Sequence, residues 1–504
     1  MAVVLQFLFS VYATYNLLVL FTQVATGITT YCLLYDLTEA KIASLCASFA
    51  MVFSTYMLTQ HAYGQVIDAT QYCVPLCLLA ARSYKRNRTL KKAVLLALSL
   101  GGVFLSGPYM LFSFGFIFFL GVLIYNAVFS DRKLLQWKVT ITEGLLFFAC
   151  MVAVFLFYFP LIRNLGQWEG GGGHYYSSLA SFVAIPFWHR SPWFRSLRVN
   201  GIAPEMAFGY IGIASTFLIG YGLFKGFLRK EADFRFWFWI LCWVAVLSLG
   251  PWLRLTPQHR LPIPLPYLLI EMIPGISVFR SVVRIWSIGT LAAAILAAFS
   301  LRAIMKDESI VLRASLGILF IGFIVWEFDV LQINQWYVSS IPSSSYVVVK
   351  NDPAPFAILD LPQFYFPEET GFATAGSYYM LFQPFHQKPM VFGYPSRMRK
   401  ESLTFSSSTP FVYELLHPWV LSKLERPENN ATREYCMREG RKILERAHIK
   451  YVLFHGSSRM SESDFGIRLK KWLDKSLGPP LLVDSENITL YRTYDSDAED
   501  NPGN

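Results

Sequence analysis

Long apolar segments recur along the first 331 residues, and this recurrence constrains the fold more than any other feature of the sequence. A segment of about 20 apolar residues can cross a bilayer as a helix, so the pattern predicts many membrane spans. Charged residues make up only 15% of the 504 residues, whereas soluble domains carry about 25%. We expect about ten spans, at residues 8–35, 40–58, 66–81, 93–107, 109–128, 139–162, 206–225, 235–250, 283–302 and 312–331.

The loops between these segments differ in their basic residues, and the difference predicts the orientation. Cytoplasmic loops carry an excess of lysine and arginine, which places four loops in the cytoplasm: 82–92, 131–138, 225–235 and 302–313. The loops that alternate with them contain no lysine, and the segments expected outside are 59–65, 163–205, 251–282 and everything after 331. Counting back along the spans places Met1 outside as well. This predicts that an upstream helix and its external loop are missing from the chain.

The part of the chain after the last span, residues 336–495, predicts a small soluble α/β domain. The segments "YVVVKN", "FAILDLP", "KYVLFHG" and "ITLYRTY" are rich in β-branched and aromatic residues, as strands are. Residues 432–448 and 462–477 have the apolar spacing of amphipathic helices. The acidic end, residues 496–504, is expected to be disordered. The expected fold class is therefore a polytopic α-helical membrane domain, residues 1–335, followed by a C-terminal α/β domain.

The first candidate site lies in an external segment, residues 59–75, where His61, Gln65 and Asp68 fall within about two helical turns. Ionisable residues at a membrane boundary often serve function. Asp68 could act as a general base, bind a cation or hold a sugar hydroxyl, and His61 could assist it. The alternative is that Asp68 is a solvated carboxylate at the membrane surface.

The second candidate site is the stretch 164–196 of the external loop 163–205. It carries Trp168, Tyr175 and Trp188, whose rings could stack on a sugar, and Glu205, just before the next span, is another external carboxylate. Tryptophan and tyrosine are also common at membrane interfaces for purely structural reasons. Both interpretations stay open.

The third candidate site is at the end of the proline-rich stretch 262–284, where Arg280 and Arg284 lie. Arginines four residues apart share one helical face, and guanidinium groups bind phosphate well. We expect this pair at the outer membrane surface, where it could hold a lipid phosphate. Arginines that only anchor the chain, with their charged groups extended to the headgroup region, would give the same pattern. In the C-terminal domain, His386, Lys388 and Arg397 lie close in sequence without a catalytic spacing, and we interpret them as part of a structural turn.

Several segments together resemble the GT-C superfamily of membrane glycosyltransferases, in particular bacterial mannosyltransferase-like proteins. They are "NLLVLFTQVATGITTYCLLYDLT", "YGQVIDATQYCVPLCLL", "LGPWLRL", "IPLPYLLIEMIPGISVFRSVVRIW" and "YYMLFQPFHQKPMVFGYPSR". The resemblance covers nearly the whole chain, but its motifs are loose hydrophobic signatures, so the fold transfers more safely than the reaction.

The resemblance implies a multi-span membrane domain and transfer of a sugar from a polyprenyl-phosphate carrier, with inversion at the anomeric carbon. Many such enzymes use a divalent metal, here Mg²⁺ or Mn²⁺, and an acidic residue in the first external loop. By the count of spans, that loop is expected to be missing from this chain, so the resemblance does not carry the family's catalytic base over to any residue here. Asp68 and His61 occupy the next external loop and match by position only.

The expected function is therefore a glycosyltransferase of the bacterial cytoplasmic (inner) membrane, acting on its outer face. Its partners would be membrane lipid, a polyprenyl-phosphate sugar and an acceptor glycan, lipid or protein of the cell envelope. A transporter or flippase of lipid-linked saccharides is the first alternative, and a non-catalytic or truncated scaffold is the second. The net charge of +10 is modest for this length and fits anionic lipid better than nucleic acid.

Overall fold

The structure is a computed structural model of the chain. It describes residues 7–9, 11–62, 70–129, 152, 156, 168–169, 175–184, 204–273, 279, 281–330, 343–361, 364–365, 373–374, 382–391, 398–399, 405, 408–409, 411–416, 430–456 and 464–494. The chain forms two compact units. Unit 1 comprises residues 1–160 and 173–336, and unit 2 comprises residues 161–172 and 337–504.

Helices make up most of unit 1. In chain order they are α1 (Val11–Thr38), α2 (Lys41–Val52), α3 (Thr55–Ala62), α4 (Cys73–Arg86), α5 (Leu90–Leu105), α6 (Pro108–Met110), a π-helix (Leu111–Phe118), α7 (Phe119–Phe129), 3₁₀ turns (Leu179–Phe182 and Pro204–Gly209), α8 (Ile213–Phe224), α9 (Phe227–Lys230), α10 (Ala232–Ser248), α11 (Tyr267–Glu271), a 3₁₀ turn (Val282–Ile285), α12 (Trp286–Met305) and α13 (Ile310–Glu327). The described helices of unit 2 are α14 (Ser344–Asn351), α15 (Gln383–His386), α16 (Val412–Leu416), α17 (Asn430–Arg446) and α18 (Asp464–Leu477).

The strands are short and belong mostly to unit 2. In chain order they are β1 (Trp168–Glu169), β2 (Trp252–Arg254), β3 (Arg260–Pro264), β4 (Ala357–Leu361), β5 (Phe364–Tyr365), β6 (Ala373–Thr374), β7 (Met398–Arg399), β8 (Ile449–His455), β9 (Leu482–Val483) and β10 (Ile488–Arg492). In unit 1, β2 and β3 form an antiparallel hairpin. In unit 2, a four-stranded sheet has the order β4-β8-β10-β9, and β1–β7 and β5–β6 form separate pairs.

Four helical segments of unit 1 are long and apolar enough to cross a membrane: Ala13–Thr38, Met206–Phe224, Val282–Met305 and Ile310–Glu327. A fifth arises if α2 and α3, which meet at a bend of 44°, form one broken span. The number of about ten spans stays a prediction. The other main helices that fall within the predicted spans are α4, α5, α7 and α10, and they have 11 to 17 residues. Of the predicted span 139–162, only two residues are described.

Side-chain exposure in unit 1 fits a lipid environment. On α1, Leu20, Val24 and Ile28 are each more than half exposed, and on α13, Ile318 and Leu319 are 71% and 68% exposed. Rows of exposed aliphatic side chains on water-facing helices would be unfavourable, whereas hydrocarbon solvates them. In contrast, the most apolar stretch of α12 is entirely buried and packs against α2, α8 and α10. Alanines along α12, such as Ala293 and Ala297, allow these close approaches.

The basic loops meet at one end of unit 1. Arg82 and Arg86 both bind the carboxylate of Asp36 at the end of α1, with N–O distances of 2.8 and 2.5 Å. Arg82 also lies 3.5 Å from Asp233 at the start of α10. Two residues before Asp233, Glu231 accepts a hydrogen bond of 2.7 Å from Arg302. Residues from three of the four segments expected in the cytoplasm therefore contact one another, and the side of the membrane that they face stays a prediction.

The predicted division between the spans 93–107 and 109–128 is confirmed at Gly107-Pro108. Helix α5 ends at Leu105 and α6 begins at Pro108, with Gly107 at φ 149°. Glycine tolerates this backbone angle, and proline lacks the N–H that an uninterrupted helix would need here. The predicted span 66–81 is shifted, because helix α4 runs from Cys73 to Arg86 and carries the basic cluster that we had placed in a loop.

In unit 2, three of the four predicted strands and both predicted helices are confirmed, but "YVVVKN" was wrong. Residues Ser344–Asn351 form helix α14, not a strand. The valines favour a strand locally, yet Tyr346 and Val349 lie three residues apart on one helical face. Both are fully buried in an apolar cluster against one face of the sheet. Tertiary burial outweighs the local propensity here.

A buried ion pair ties helix α14 to the sheet. The Nζ of Lys450 lies 2.6 Å from Asp352, and the Tyr451 hydroxyl donates to the same carboxylate at 2.8 Å. Burial opposes ionisation of Asp352, but the hydrogen bonds from Lys450 and Tyr451 outweigh it and hold the pKa of Asp352 below its usual value.

We expect Asp352→Asn to lower the free energy of unfolding by about 2 to 3 kcal/mol at pH 7, because it leaves the Lys450 ammonium buried without its counter-charge. A lowered carboxyl pKa stabilises the fold above the unfolded value, about 3.9, and this contribution is lost as pH falls through the folded pKa. Thermal unfolding at pH 7 and pH 3, followed by tryptophan fluorescence, should therefore show a larger difference from the wild type at pH 7 than at pH 3. Glu439→Gln, on an exposed ion pair of α17, is the control. An equal difference at both pH values would contradict the assignment.

Candidate functional site

Helix α3 carries buried polar groups that have no hydrogen-bond partner among the described residues. They are the hydroxyls of Thr55 and Thr59, both amide atoms of Gln60 and both ring nitrogens of His61. Thr55, Thr59 and Gln60 are at most 1% exposed. Buried side-chain polar atoms in proteins are nearly always paired, so this concentration on two turns of one helix makes α3 a candidate site for a polar ligand.

The hydroxyls of Thr55 and Thr59, like those of Thr14 and Thr30 on α1, have no partner among the described residues, whereas several other threonines of unit 1 are paired. Thr26, Thr38 and Thr290 each donate to the carbonyl four residues earlier, at 2.6 to 2.8 Å, which is the usual way to satisfy a hydroxyl inside an apolar helix. Thr55 and Thr59 make no such bond in the described structure. They stand one helical turn apart, on the same face of α3.

A chain of contacts leads from α3 to Arg284. Gln71 Nε2 lies 3.5 Å from the hydroxyl of Tyr56 on α3 and 3.4 Å from the sulfur of Met110. Next to Met110, the ring of Tyr109 supports the guanidinium of Arg284 at 4.3 Å from the ring centroid. The ring attracts the cation electrostatically and so helps to hold the guanidinium in place.

Around Arg284, the chain brings further donors together. Buried polar atoms without a described partner include the Trp286 indole nitrogen and the hydroxyls of Ser281 and Ser287. Tyr175 forms a parallel β-bridge with Ser281, so the predicted platform Tyr175 lies beside the segment that carries Arg284. Arg284 precedes α12, whereas Arg302 near its other end belongs to the salt-bridged side, about 30 Å away for 20 helical residues.

An acidic group lies on the same part of unit 1. The hydroxyl of Tyr176 donates to Glu271 at 3.2 Å, and the guanidinium of Arg254 lies 5.3 Å from the Tyr176 ring centroid. Burial and the neighbouring carboxylate of Glu271 raise the pKa of Tyr176. Tyr176 therefore acts as a neutral hydrogen-bond donor here.

The structure describes the other predicted site residues in part or not at all. Asp68, Trp188 and Arg280 lie outside the described residues. Trp168 belongs to β1, which pairs with β7 in unit 2, and Glu205 belongs to the 3₁₀ turn Pro204–Gly209. Only the backbone of these two is described.

In unit 2, the structure fits the interpretation of the 386–388 region as a turn. Lys388 donates from Nζ to the carbonyls of Asp352 and Ala354 at 2.6 and 2.9 Å. Lys388 N–H also donates to His386 Nδ1 at 3.0 Å. Arg397 lies outside the described residues.

Neither a scan against models of protein families nor a search of curated proteins produced a match for this chain.

The sequence pointed to His61, Tyr175 and Arg284 but missed Gln60, Tyr109 and Trp286. Gln60 had a usable signal, since an amide next to a histidine at a membrane boundary is rarely there for packing alone. Tyr109 had none, because 175 residues separate it from Arg284 in the sequence.

The described site can hold an anion at Arg284 and offers amide, imidazole, indole and hydroxyl groups for hydrogen bonds with a polar ligand. Within the described ranges, no three His, Cys, Asp or Glu side chains come together as a metal site requires. The described residues therefore do not by themselves fit the divalent metal that the resemblance implies.

Proposed function

We propose that this chain is a membrane glycosyltransferase that moves a sugar from a polyprenyl-phosphate donor to an acceptor on the outer face of the membrane. One observation supports the proposal most directly. A unit with membrane-length apolar helices contains Arg284 and a run of buried polar groups on α3 without described partners, and contacts through Tyr56, Gln71, Met110 and Tyr109 connect the two. Hydroxyl-rich sugar and lipid phosphate are chemically matched to these two features.

In the proposed reaction, an acceptor hydroxyl oxygen bonds to C1 of the sugar while the bond from C1 to the phosphate oxygen breaks. The electron pair leaves with the phosphate, and Arg284 stabilises the charge that develops there. The hydroxyl proton passes to a carboxylate, for which Asp68 is the proposed residue. Gln60, Thr59 and His61 would bind sugar hydroxyls, and Tyr175 would support the ring. Trp168 and Trp188 stay predicted sugar platforms.

Arg280 and Glu205 complete the proposed set, as a second phosphate-holding residue and an acceptor-side carboxylate. A requirement for Mg²⁺ or Mn²⁺ stays a prediction, and no step here is assigned to it. The proposed location is the cytoplasmic (inner) membrane of a bacterium, with the C-terminal domain outside the cytoplasm.

The direct test uses membranes that contain the full chain, with polyprenyl-phosphate mannose and polyprenyl-phosphate glucose as tritium-labelled probes. We expect transfer of label from at least one donor to endogenous acceptor, and loss of transfer with Asp68→Asn and with Arg284→Ala. Transfer that survives in both variants would overturn the assigned roles. Absence of transfer from both donors would count against a glycosyltransferase acting on hexoses.

A second candidate function is a flippase of lipid-linked saccharides. The 44° bend between α2 and α3 supports it, because broken helices that carry polar groups are common at transport sites. Sealed vesicles containing the protein and a short-chain fluorescent lipid-linked sugar distinguish the two functions. Protection of the probe from an external glycosidase without an acceptor would favour the flippase. Transfer without such protection favours the enzyme.

Gln60→Leu separates a ligand-binding role from a structural one. Because both amide atoms of Gln60 are buried without a described partner, an apolar side chain of similar size should raise the apparent melting temperature by a few degrees. If Gln60 binds substrate, transfer should fall at least tenfold in the same variant. The control is Met57→Leu, a fully buried, volume-conserving change on the same helix. A loss of stability in Gln60→Leu would indicate that this amide has a structural partner.

A further inference from the structure

Unit 2 contains a polar cluster at one end of an otherwise apolar sheet face. Strands β4 and β8 are parallel neighbours, and alternate residues of each strand point to the same face. On this face Ile358 precedes Asp360, and Leu453 precedes His455. The apolar pattern therefore changes to polar at the carboxyl ends of both strands. Ligand sites in sheets with parallel strands lie at these ends.

The cluster joins residues from a helix and two strands. Asp360 accepts a hydrogen bond of 2.7 Å from the Tyr346 hydroxyl, and its same oxygen lies 2.8 Å from His455 Nε2. The Asp360 side chain is fully buried, whereas that of His455 is 11% exposed. Burying a carboxylate in a small domain is unfavourable even when it is paired, so a role other than stability is the simpler explanation for it.

His386 provides a donor that is not used by the described protein. Its ring stacks on Tyr346 with 5.5 Å between the centroids. Because Nδ1 accepts the N–H of Lys388, the neutral ring carries its proton on Nε2. That nitrogen is buried, in a side chain that is 2% exposed, and has no hydrogen-bond partner among the described residues.

A surface depression of about 540 Å³ lies over the helix that carries His386. Two amide side chains, Gln383 and Gln387, line it together with Pro384, Lys388 and Pro389. Amides donate and accept hydrogen bonds at once. The depression therefore offers amide donors and acceptors on the helix that carries the buried donor, and the Nζ of its lysine is engaged by the carbonyls of Asp352 and Ala354.

We propose that this part of unit 2 is a second ligand site, specific for a neutral carbohydrate. A ligand oxygen must accept the His386 Nε2–H, and the nearby Asp360 carboxylate disfavours an anion through charge repulsion. A hydroxyl meets both demands, since it accepts from His386 and can donate to a carboxylate. Choosing a carbohydrate among hydroxyl ligands rests on the proposed function, in which this site would bind part of the acceptor.

The test measures glycoside binding to the full chain in lipid nanodiscs by saturation-transfer NMR. The neutral probes are the methyl glycosides of mannose, glucose and galactose, and the anionic probe is glucuronate. His386→Asn is the informative variant, because the Asn Oδ1 can still accept the Lys388 N–H while the Nε2 donor is removed. His448→Asn, on an exposed histidine with φ 54°, is the matched control, since Asn tolerates that angle.

We expect at least one neutral glycoside to bind, glucuronate to bind at least fivefold less, and His386→Asn to reduce the neutral signal at least fivefold. The His448→Asn control should bind like the wild type, and both variants should keep the wild-type melting temperature within a few degrees. No glycoside binding, equal binding of glucuronate, or an unchanged signal in His386→Asn would overturn the site. A His386→Asn protein that has lost its cooperative melting would show a structural role and would also overturn it.

Running the experiment in the Gln60→Leu protein separates this inference from the proposed function. There, sugar binding in unit 1 is weakened, so the remaining signal reports on unit 2. Transfer that is absent from the wild type, with glycoside binding that depends on His386, would refute the glycosyltransferase and leave the second site standing. Transfer that is present, with no binding that depends on His386, would do the reverse.

Discussion

Arg284→Ala is expected to reduce sugar transfer about 100-fold with little change in stability. Removing one preorganised group that stabilises developing charge typically lowers the rate by this factor or more. The guanidinium rests on the ring of Tyr109 at 4.3 Å, so its position is fixed before substrate binds. The measurement is the initial rate of label transfer from the donor that the wild-type protein uses, at a donor concentration that saturates it.

Arg284→Lys refines this prediction. Lysine keeps the positive charge but loses the planar pair of N–H donors that suits phosphate, so we expect a loss of about tenfold. The control is Arg260→Ala. Arg260 stacks on Trp252 in the hairpin β2–β3 at 4.5 Å and has no assigned role, so its rate should stay within twofold. Equal losses for Arg260→Ala and Arg284→Ala would mean that surface charge in general matters, and not a phosphate site.

Glu327→Ala is expected to lower the free energy of unfolding by about 3 to 4 kcal/mol. Glu327, at the end of α13, is fully buried and accepts a hydrogen bond of 2.6 Å from the Tyr210 hydroxyl. It also accepts the N–H of Ile213, the first residue of α8. Alanine would leave both donors buried and unsatisfied, and each costs about 1 to 3 kcal/mol.

Glu327→Gln tests whether the hydrogen bonds or the charge matter. Glutamine keeps a carbonyl oxygen that can accept from both Tyr210 and Ile213, so we expect it to lose less than half as much stability as Glu327→Ala. Unfolding by SDS titration in mixed micelles, followed by tryptophan fluorescence, gives both values on one scale. A Glu327→Gln loss as large as that of Glu327→Ala would show that the negative charge at the helix N-terminus is the main contribution.

Glu327 also shows where sequence reasoning stopped. It lies within the predicted span 312–331, and nothing near it in the sequence explains a carboxylate in an apolar helix. Its partners are 117 and 114 residues away. The same limit applies to Asp360 and His455, which are 95 residues apart. "FAILDLP" and "KYVLFHG" were correctly predicted as strands, but only their parallel pairing brings the two side chains together.

What the sequence determined by itself is local. Apolar runs indicated α1, α8, α12 and α13, because burial in hydrocarbon depends on composition over about 20 residues. The proline after Gly107 indicated a break, because it acts on the backbone beside it. The lysine-rich loops indicated a common side for residues that the salt bridges of Asp36 and Glu231 later placed together.

Tertiary structure alone decided the rest. It made a helix of "YVVVKN", because burying Tyr346 and Val349 on one helical face outweighs the strand propensity of valine. It also brought Tyr109 to Arg284 and left Gln60 and His386 with buried polar atoms that no described residue satisfies. Each of these outcomes depends on pairs of residues far apart in the chain. Periodicity reports which residues share a face, but only folding determines what that face meets.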